Sequence, residues 1–141
     1  MHKSIAILIA LGAVAFFILL WCGIIYTISY ASGWQKLAET YSTSYVPNQT
    51  KNCNCLFQKS SSYNGVVQYA STKEGLYLKT INLFSIGHNP LFIPWKDIES
   101  YESGDLIIPY KNRLIAYSAK FKVKGITIFI NQDVRALQIQ Y

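Results

Sequence analysis

The residues whose types and spacing bear on chemistry are Cys53 and Cys55, His88, the acids Asp97, Glu99, Glu102 and Asp105, and the lysines Lys120, Lys122 and Lys124. A histidine base needs a partner within hydrogen-bond reach. No serine elbow or papain-type cysteine context accompanies His88, and a histidine in a Gly-His-Asn-Pro corner suits a bond to nearby backbone. Cys53 and Cys55, at i and i+2, point to one side of an extended segment and two thiolates could open a metal site. A structural zinc wants four ligands, commonly with CxxC spacing. Cys22 and the two remote histidines are all that remain to complete one. A disulfide between such close neighbours would be strained, so free thiols are expected, with pairing between two copies as the other possibility. Paired carboxylates hydrolyse when they face each other across a cleft, whereas residues 97–105 read as a solvated loop. Glycine-rich phosphate loops, dinucleotide fingerprints and zinc-protease helices are missing. The sequence therefore assigns no catalytic, metal or cofactor-binding residue. The alternative is a small hydrolase or metal-dependent enzyme that uses His88 with the nearby acids, or the Cys53/Cys55 pair.

The lysines form the basic row with the best-defined geometry. Lys120, Lys122 and Lys124 alternate with Phe121 and Val123, so on a strand they share one face over roughly 13 Å. With Lys111 and Arg113 nearby, that row suits a phosphate-bearing lipid headgroup. The competing reading is an exposed strand that uses lysine to discourage edge-to-edge aggregation.

The elements that must position these groups begin with a membrane segment. Ile5–Tyr26 is a run of 22 uncharged residues, and no charge falls between Lys3 and Lys36. As a helix, such a run covers about 33 Å, the thickness of a hydrocarbon core. A cleaved signal peptide is the competing reading, but its apolar core should be only about 7–15 residues long. Trp21, Tyr30 and Trp34 gather at the far end as candidate interfacial anchors. Orientation follows the basic residues near the helix ends, and Lys3 leans toward an N-terminus held inside with the C-terminal domain outside. Residues 31–141 hold 12 of the 13 basic residues and all 7 acidic ones, a net charge of +5. Such a domain beside a membrane is drawn to anionic headgroups, although the same charge also serves solubility. Scattered lysines without an aromatic RNA-binding motif argue against nucleic acid.

Within residues 31–43, Trp34, Leu37, Ala38 and Tyr41 fall on one helical face, predicting an amphipathic juxtamembrane helix after residues 1–30. Residues 44–55, rich in Ser, Thr and Asn, read as a linker. From 56 to 141 the pattern is β: Asn64-Gly65 predicts a hairpin turn, and "LFIPW" a strand that Pro94 confines to an edge or bulge. Residues 113–124 form a half-buried strand with Ile115, Tyr117, Ala119, Phe121 and Val123 inward. For residues 131–141 both a short helix and a last strand fit. The fold class expected is an N-terminal transmembrane helix followed by a small antiparallel β roll or barrel.

The segments "GWQKLAETY" and "GLYLKTINLFSIGHNPLFIPWKDI" carry a resemblance. Trp34, Leu37, Ala38, Tyr41, Gly75, Leu76, Leu78, Gly87, His88, Pro90 and Trp95 resemble the pattern of an uncharacterised family of small bacterial single-pass membrane proteins with a pleckstrin-homology-like C-terminal domain. The likeness covers most of residues 32–98 and fades beyond 105. It implies the topology and fold above, with Trp95 as a core residue, and no chemistry. The function expected is a membrane-anchored, non-catalytic binding module without a cofactor. Its partner is the lipid bilayer, another membrane protein or a second copy of itself.

Overall fold

The computed structural model describes residues 2–134. Helix α1 is His2–Ser32, with no acid in its first turn and no base in its last, and its apolar window has a mean hydropathy of 2.9 and is not buried within the chain. It is long and apolar enough to cross a membrane. At about 1.5 Å per residue it is also longer than a hydrocarbon core of about 30 Å requires, and its last third turns toward the rest of the chain, burying Ile25, Ser29 and Ser32.

Gly33 ends α1 in the left-handed region (φ 93°), where the Ile126 side chain and Gln58 Nε2 would lie 2.7 Å from any added Cβ. Only glycine meets both demands at little cost. Helix α2, Trp34–Tyr41, follows at once and buries Trp34, Leu37 and Tyr41, the face predicted by their spacing. The residue after α2, Ser42, bridges to Leu91, so the helix exit is tied to a sheet edge.

Seven strands follow: β1 (Lys51–Phe57), β2 (Ser61–Ser71), β3 (Gly75–Thr80), β4 (Leu91–Pro94), β5 (Glu99–Tyr110), β6 (Arg113–Val123) and β7 (Ile126–Ile130). They pair antiparallel in the order β4-β3-β2-β1-β7-β6-β5, so two meanders meet where β1 pairs with β7. The sheet curls into a half-barrel around one core that includes Trp34, Phe57, Tyr63, Leu76, Leu78, Ile93, Phe121 and Ile128, with α2 across its open side. Leu56, Tyr117 and Phe129 form a second, smaller cluster on the opposite face of the sheet.

Several expectations are corrected. The linker ends before Lys51, because Lys51–Phe57 is the strand shared by both meanders. Asn64-Gly65 makes no hairpin; it is a bulge inside β2, where Asn54 Oδ1 accepts the Gly65 N–H at 2.6 Å. The β1–β2 turn is instead made by Gln58 and Lys59, both at positive φ (57° and 60°). Residues 99–105 are not a loop but the start of β5, bulged between Glu99 and Glu102 and between Ser103 and Leu106. Trp95 packs against the core as expected but is only half-buried, its Nε1–H donating to the Thr72 carbonyl at 2.7 Å. Of 131–141, Asn131–Val134 form bends and a turn; the rest lies outside the described residues.

Gly75 gives a direct test of the β3–β4 edge. A Cβ there would sit 2.4 Å from the Ile93 carbonyl oxygen, which is backbone and cannot swing away. Gly75→Ala is expected to cost about 1–3 kcal/mol, as overpacking does. A thermal melt of the purified full chain would contradict this register if the midpoint were unchanged.

Candidate functional site

The junction of α1 with the sheet gathers most of the polar chemistry. Its first component is a cleft of about 450 Å³ lined by Gln58, Lys59, Glu102, Lys120 and Lys122 among others. Gln58 ties the cleft to α1, donating from Nε2 to the Ser32 carbonyl at 2.8 Å and so satisfying one of the free carbonyls at the helix end. Lys120 and Lys122 lie opposite Glu102 and Glu99 in the β5–β6 register, so part of their charge is balanced by the neighbouring strand. Lys59 comes from the left-handed β1–β2 turn and completes three cations around one acid.

The predicted three-lysine row is thereby altered. Strand β6 ends at Val123, and Lys124 sits in the following turn at φ 51°. Its ammonium hydrogen-bonds Thr40 Oγ1 and lies 5.9 Å from the centre of the Tyr41 ring. Lys124 does not line the cleft; Lys59 takes its place there. Sequence spacing missed Lys59 because the turn that projects it carries no Gly or Asn.

The second component surrounds His88, which is buried with 2 % of its surface exposed. Nδ1 lies 2.9 Å from the Ile86 carbonyl, the expected backbone bond, and Nε2 lies 2.9 Å from Tyr63 Oη. Tyr63 Oη in turn is 3.0 Å from Ser32 Oγ, and Ser32 Oγ accepts the Trp34 N–H at 3.2 Å. A carbonyl can only accept, so Nδ1 carries a proton. The Tyr63 hydroxyl has one proton to place between Ser32 Oγ and the neutral ring's Nε2, while Ser32 Oγ donates its own to the Ser29 carbonyl at 3.3 Å. Burial pushes the His88 imidazole below its usual range, opposed by the Ile86 bond. Burial likewise pushes the Tyr63 phenol up to about 12, opposed by Ser32. Every ring nitrogen is occupied and the neutral state is favoured. The chain of bonds clamps the end of α1 to β2 and to the corner after β3.

The remaining candidates are dispersed. Cys53 and Cys55 are buried, their sulfurs 3.7 Å apart, well beyond a covalent bond of about 2.05 Å. Their mutual hydrogen bond and burial hold the Cys55 thiol well above its usual range, so the nucleophilic thiolate is disfavoured. Asp97 accepts from the Tyr41 hydroxyl at 2.9 Å, while Glu99 and Glu102 face lysines. Among the described residues no group of three or more His, Cys, Asp and Glu side chains could hold a metal ion.

The three candidate anchors separate in the same way. Tyr30 is exposed on α1, as an anchor would be. Trp21 is half-buried, its Nε1–H donating to the Leu83 carbonyl at 2.9 Å and its ring packed edge-on against Phe84 at 5.2 Å. Trp34 is fully buried and belongs to the core: its Nε1–H donates to the Asn89 carbonyl at 2.8 Å and its ring stacks on Phe57. It cannot reach a headgroup from there, and the sequence could not tell an interfacial tryptophan from one opening a packed helix.

These features define a class: an apolar helix of bilayer-crossing length joined by buried hydrogen bonds to a curled antiparallel half-barrel, with a basic cleft at the joint. Beyond that class, no family model, curated protein or solved structure matches the chain.

Proposed function

We propose that the chain is a single-pass membrane protein whose pleckstrin-homology-like domain acts by binding, without catalysis, and takes an anionic lipid headgroup in the Lys59/Lys120/Lys122 cleft. The observation that carries this reading is the shared residue Gln58, which lines the cleft and caps the last residue of α1. Starting a hydrocarbon core of about 30 Å at Ile5 ends it near Ile24, which leaves Ser32 about 12 Å farther along the helix. That height is close to the outer headgroups, within reach of a lysine side chain. The curled antiparallel sheet with a helix over its open side supports the pleckstrin-homology-like reading. The burial of Trp34, Leu37, Leu76 and Leu78 supports the bacterial family resemblance. The orientation proposed is the one that Lys3 suggests, with the domain outside.

The test is lipid retention by the full-length protein purified from mixed phosphatidylglycerol and phosphatidylcholine vesicles. Membrane-adjacent lysines contribute about 1 kcal/mol each, reduced here by Glu99 and Glu102. Lys120→Gln with Lys122→Gln is therefore expected to lower the preference for phosphatidylglycerol roughly tenfold. Lys124→Gln should leave it unchanged, since that ammonium is engaged with Thr40 and Tyr41. Equal retention of both lipids by the unaltered protein would reject the reading.

A further inference from the structure

The loop between β3 and β4 carries apolar side chains that the domain core does not use. Leu83 is 69 % exposed and Ile86 39 %, although both follow a buried strand. The loop is not loose. Its 3-10 turn, Asn82–Phe84, is held by the Trp21 Nε1–H bond to the Leu83 carbonyl and by the Trp21–Phe84 ring contact. Thr80 Oγ1 donates to the Phe84 carbonyl at 3.0 Å from the strand side. Together with Phe17, Ile18 and Trp21, the residues Asn82, Leu83 and Ile86 line an open groove of about 510 Å³ that is almost wholly apolar.

The depth of that groove follows from the helix. A core of about 30 Å needs about 20 residues. If it ends before Trp21, it must begin at the first residue and draw Lys3 below the edge of the hydrocarbon, where its ammonium has to snorkel back to the interface. If it begins at Ile5, Trp21 lies about 5 Å inside its far edge. The groove is also continuous with the exposed face of α1, where Phe17 is 64 % and Ile18 52 % exposed.

We infer that the Leu83–Ile86 loop is a membrane-inserted wedge, and that the groove beside Trp21 is filled by lipid acyl chain. The inference rests on the proposed membrane-spanning role of α1. The domain is thus seated at two levels, with its basic cleft at the headgroups and this loop below them. The Leu83 and Phe84 carbonyls are both bonded, so neither enters the bilayer unpaired.

The experiment places an environment-sensitive fluorophore at Leu83→Cys in the full-length Cys22→Ser protein, reconstituted in phosphatidylcholine vesicles. Cys53 and Cys55 are shielded by burial. Leu11→Cys, on the exposed part of α1, is the reference for the bilayer, and Asp105→Cys on β5 the reference for water. Quenching is read with lipids carrying a nitroxide on the acyl chain and with aqueous iodide. The expected result is that the Leu83 label is blue-shifted, at least several-fold better quenched by the nitroxide lipid than the Asp105 label, and protected from iodide. A Leu83 label that iodide quenches as well as the Asp105 label, while Leu11 stays lipid-quenched, overturns the wedge and leaves the span intact. Loss of lipid quenching at both Leu83 and Leu11 overturns the wedge and the membrane-spanning reading together.

Discussion

Trp34→Ala is expected to unfold or nearly unfold the β domain. Trp34 is 0 % exposed and stands where α1, α2 and the sheet converge. Its ring lies 5.4 Å from Phe57, 5.9 Å from Tyr63 and 5.1 Å from His88, and its indole N–H satisfies the Asn89 carbonyl. Removing a buried tryptophan costs about 3–5 kcal/mol, from lost transfer energy and from the cavity left behind. Domains of this size are stable by only about 5–15 kcal/mol, so a thermal melt should show a large drop or no transition. Trp34→Phe keeps most of the packing but leaves the Asn89 carbonyl without that donor, and should cost about 1–3 kcal/mol. An interfacial-anchor role makes the opposite forecast: an unchanged melting midpoint with altered membrane partitioning. A Trp34→Ala protein that melts like the unaltered chain would overturn the core assignment.

Trp34 also shows where sequence pattern suffices. The periodicity of Trp34, Leu37 and Tyr41 gave the buried face of α2 because a short helix on a core repeats one side to the same environment. Strand β6 was legible over its second half, with Ala119, Phe121 and Val123 in the core and Lys122 exposed, whereas Tyr117 packs with Leu56 and Phe129 in the second cluster instead. The failures share a cause: a long-range partner outweighed a local preference. Asn64-Gly65 has the dihedral tolerance of a turn, but Asn54 captures the Gly65 N–H and keeps β2 running through a bulge. Gln58 and Lys59 have no such tolerance, yet they make the turn, and Gln58 gains the Ser32 carbonyl in doing so. The polar residues of 51–55 hid a strand whose cysteines face the core. The cleft was half legible for the same reason. Lys120 and Lys122 share a strand face that alternation reveals, whereas Lys59 is delivered by a turn that only the tertiary structure defines.

Tyr63→Phe is expected to weaken the clamp between α1 and the sheet, and to weaken it more in acid. At neutral pH the substitution deprives buried His88 Nε2 of its donor and Ser32 of a partner. An unsatisfied buried group costs about 1–3 kcal/mol, so a loss of about 3 kcal/mol is expected. The pH dependence follows from the depressed His88 pKa in the folded chain. An unfolded histidine titrates near pH 6.5. Above that pH neither state binds a proton at His88 and its full stability contribution is present. As pH falls from about 6.5 through the folded pKa, the unfolded chain binds more protons and stability declines, so the slope of stability against pH is positive in that window. In the unaltered protein the imidazolium still has an acceptor in Tyr63 Oη, because the phenol can turn its proton toward Ser32. Phenylalanine offers no acceptor, and bonds to charged groups are the stronger ones. The folded pKa of His88 therefore drops further in the variant, which widens the window toward acid. Melts of both proteins at neutral pH and at successively lower pH should show the gap between them growing. A gap that stays constant or closes as the pH falls would mean that His88 is not coupled to Tyr63 in this way. A gap of zero at neutral pH would mean that the Ser32–Tyr63–His88 chain does not hold the junction at all.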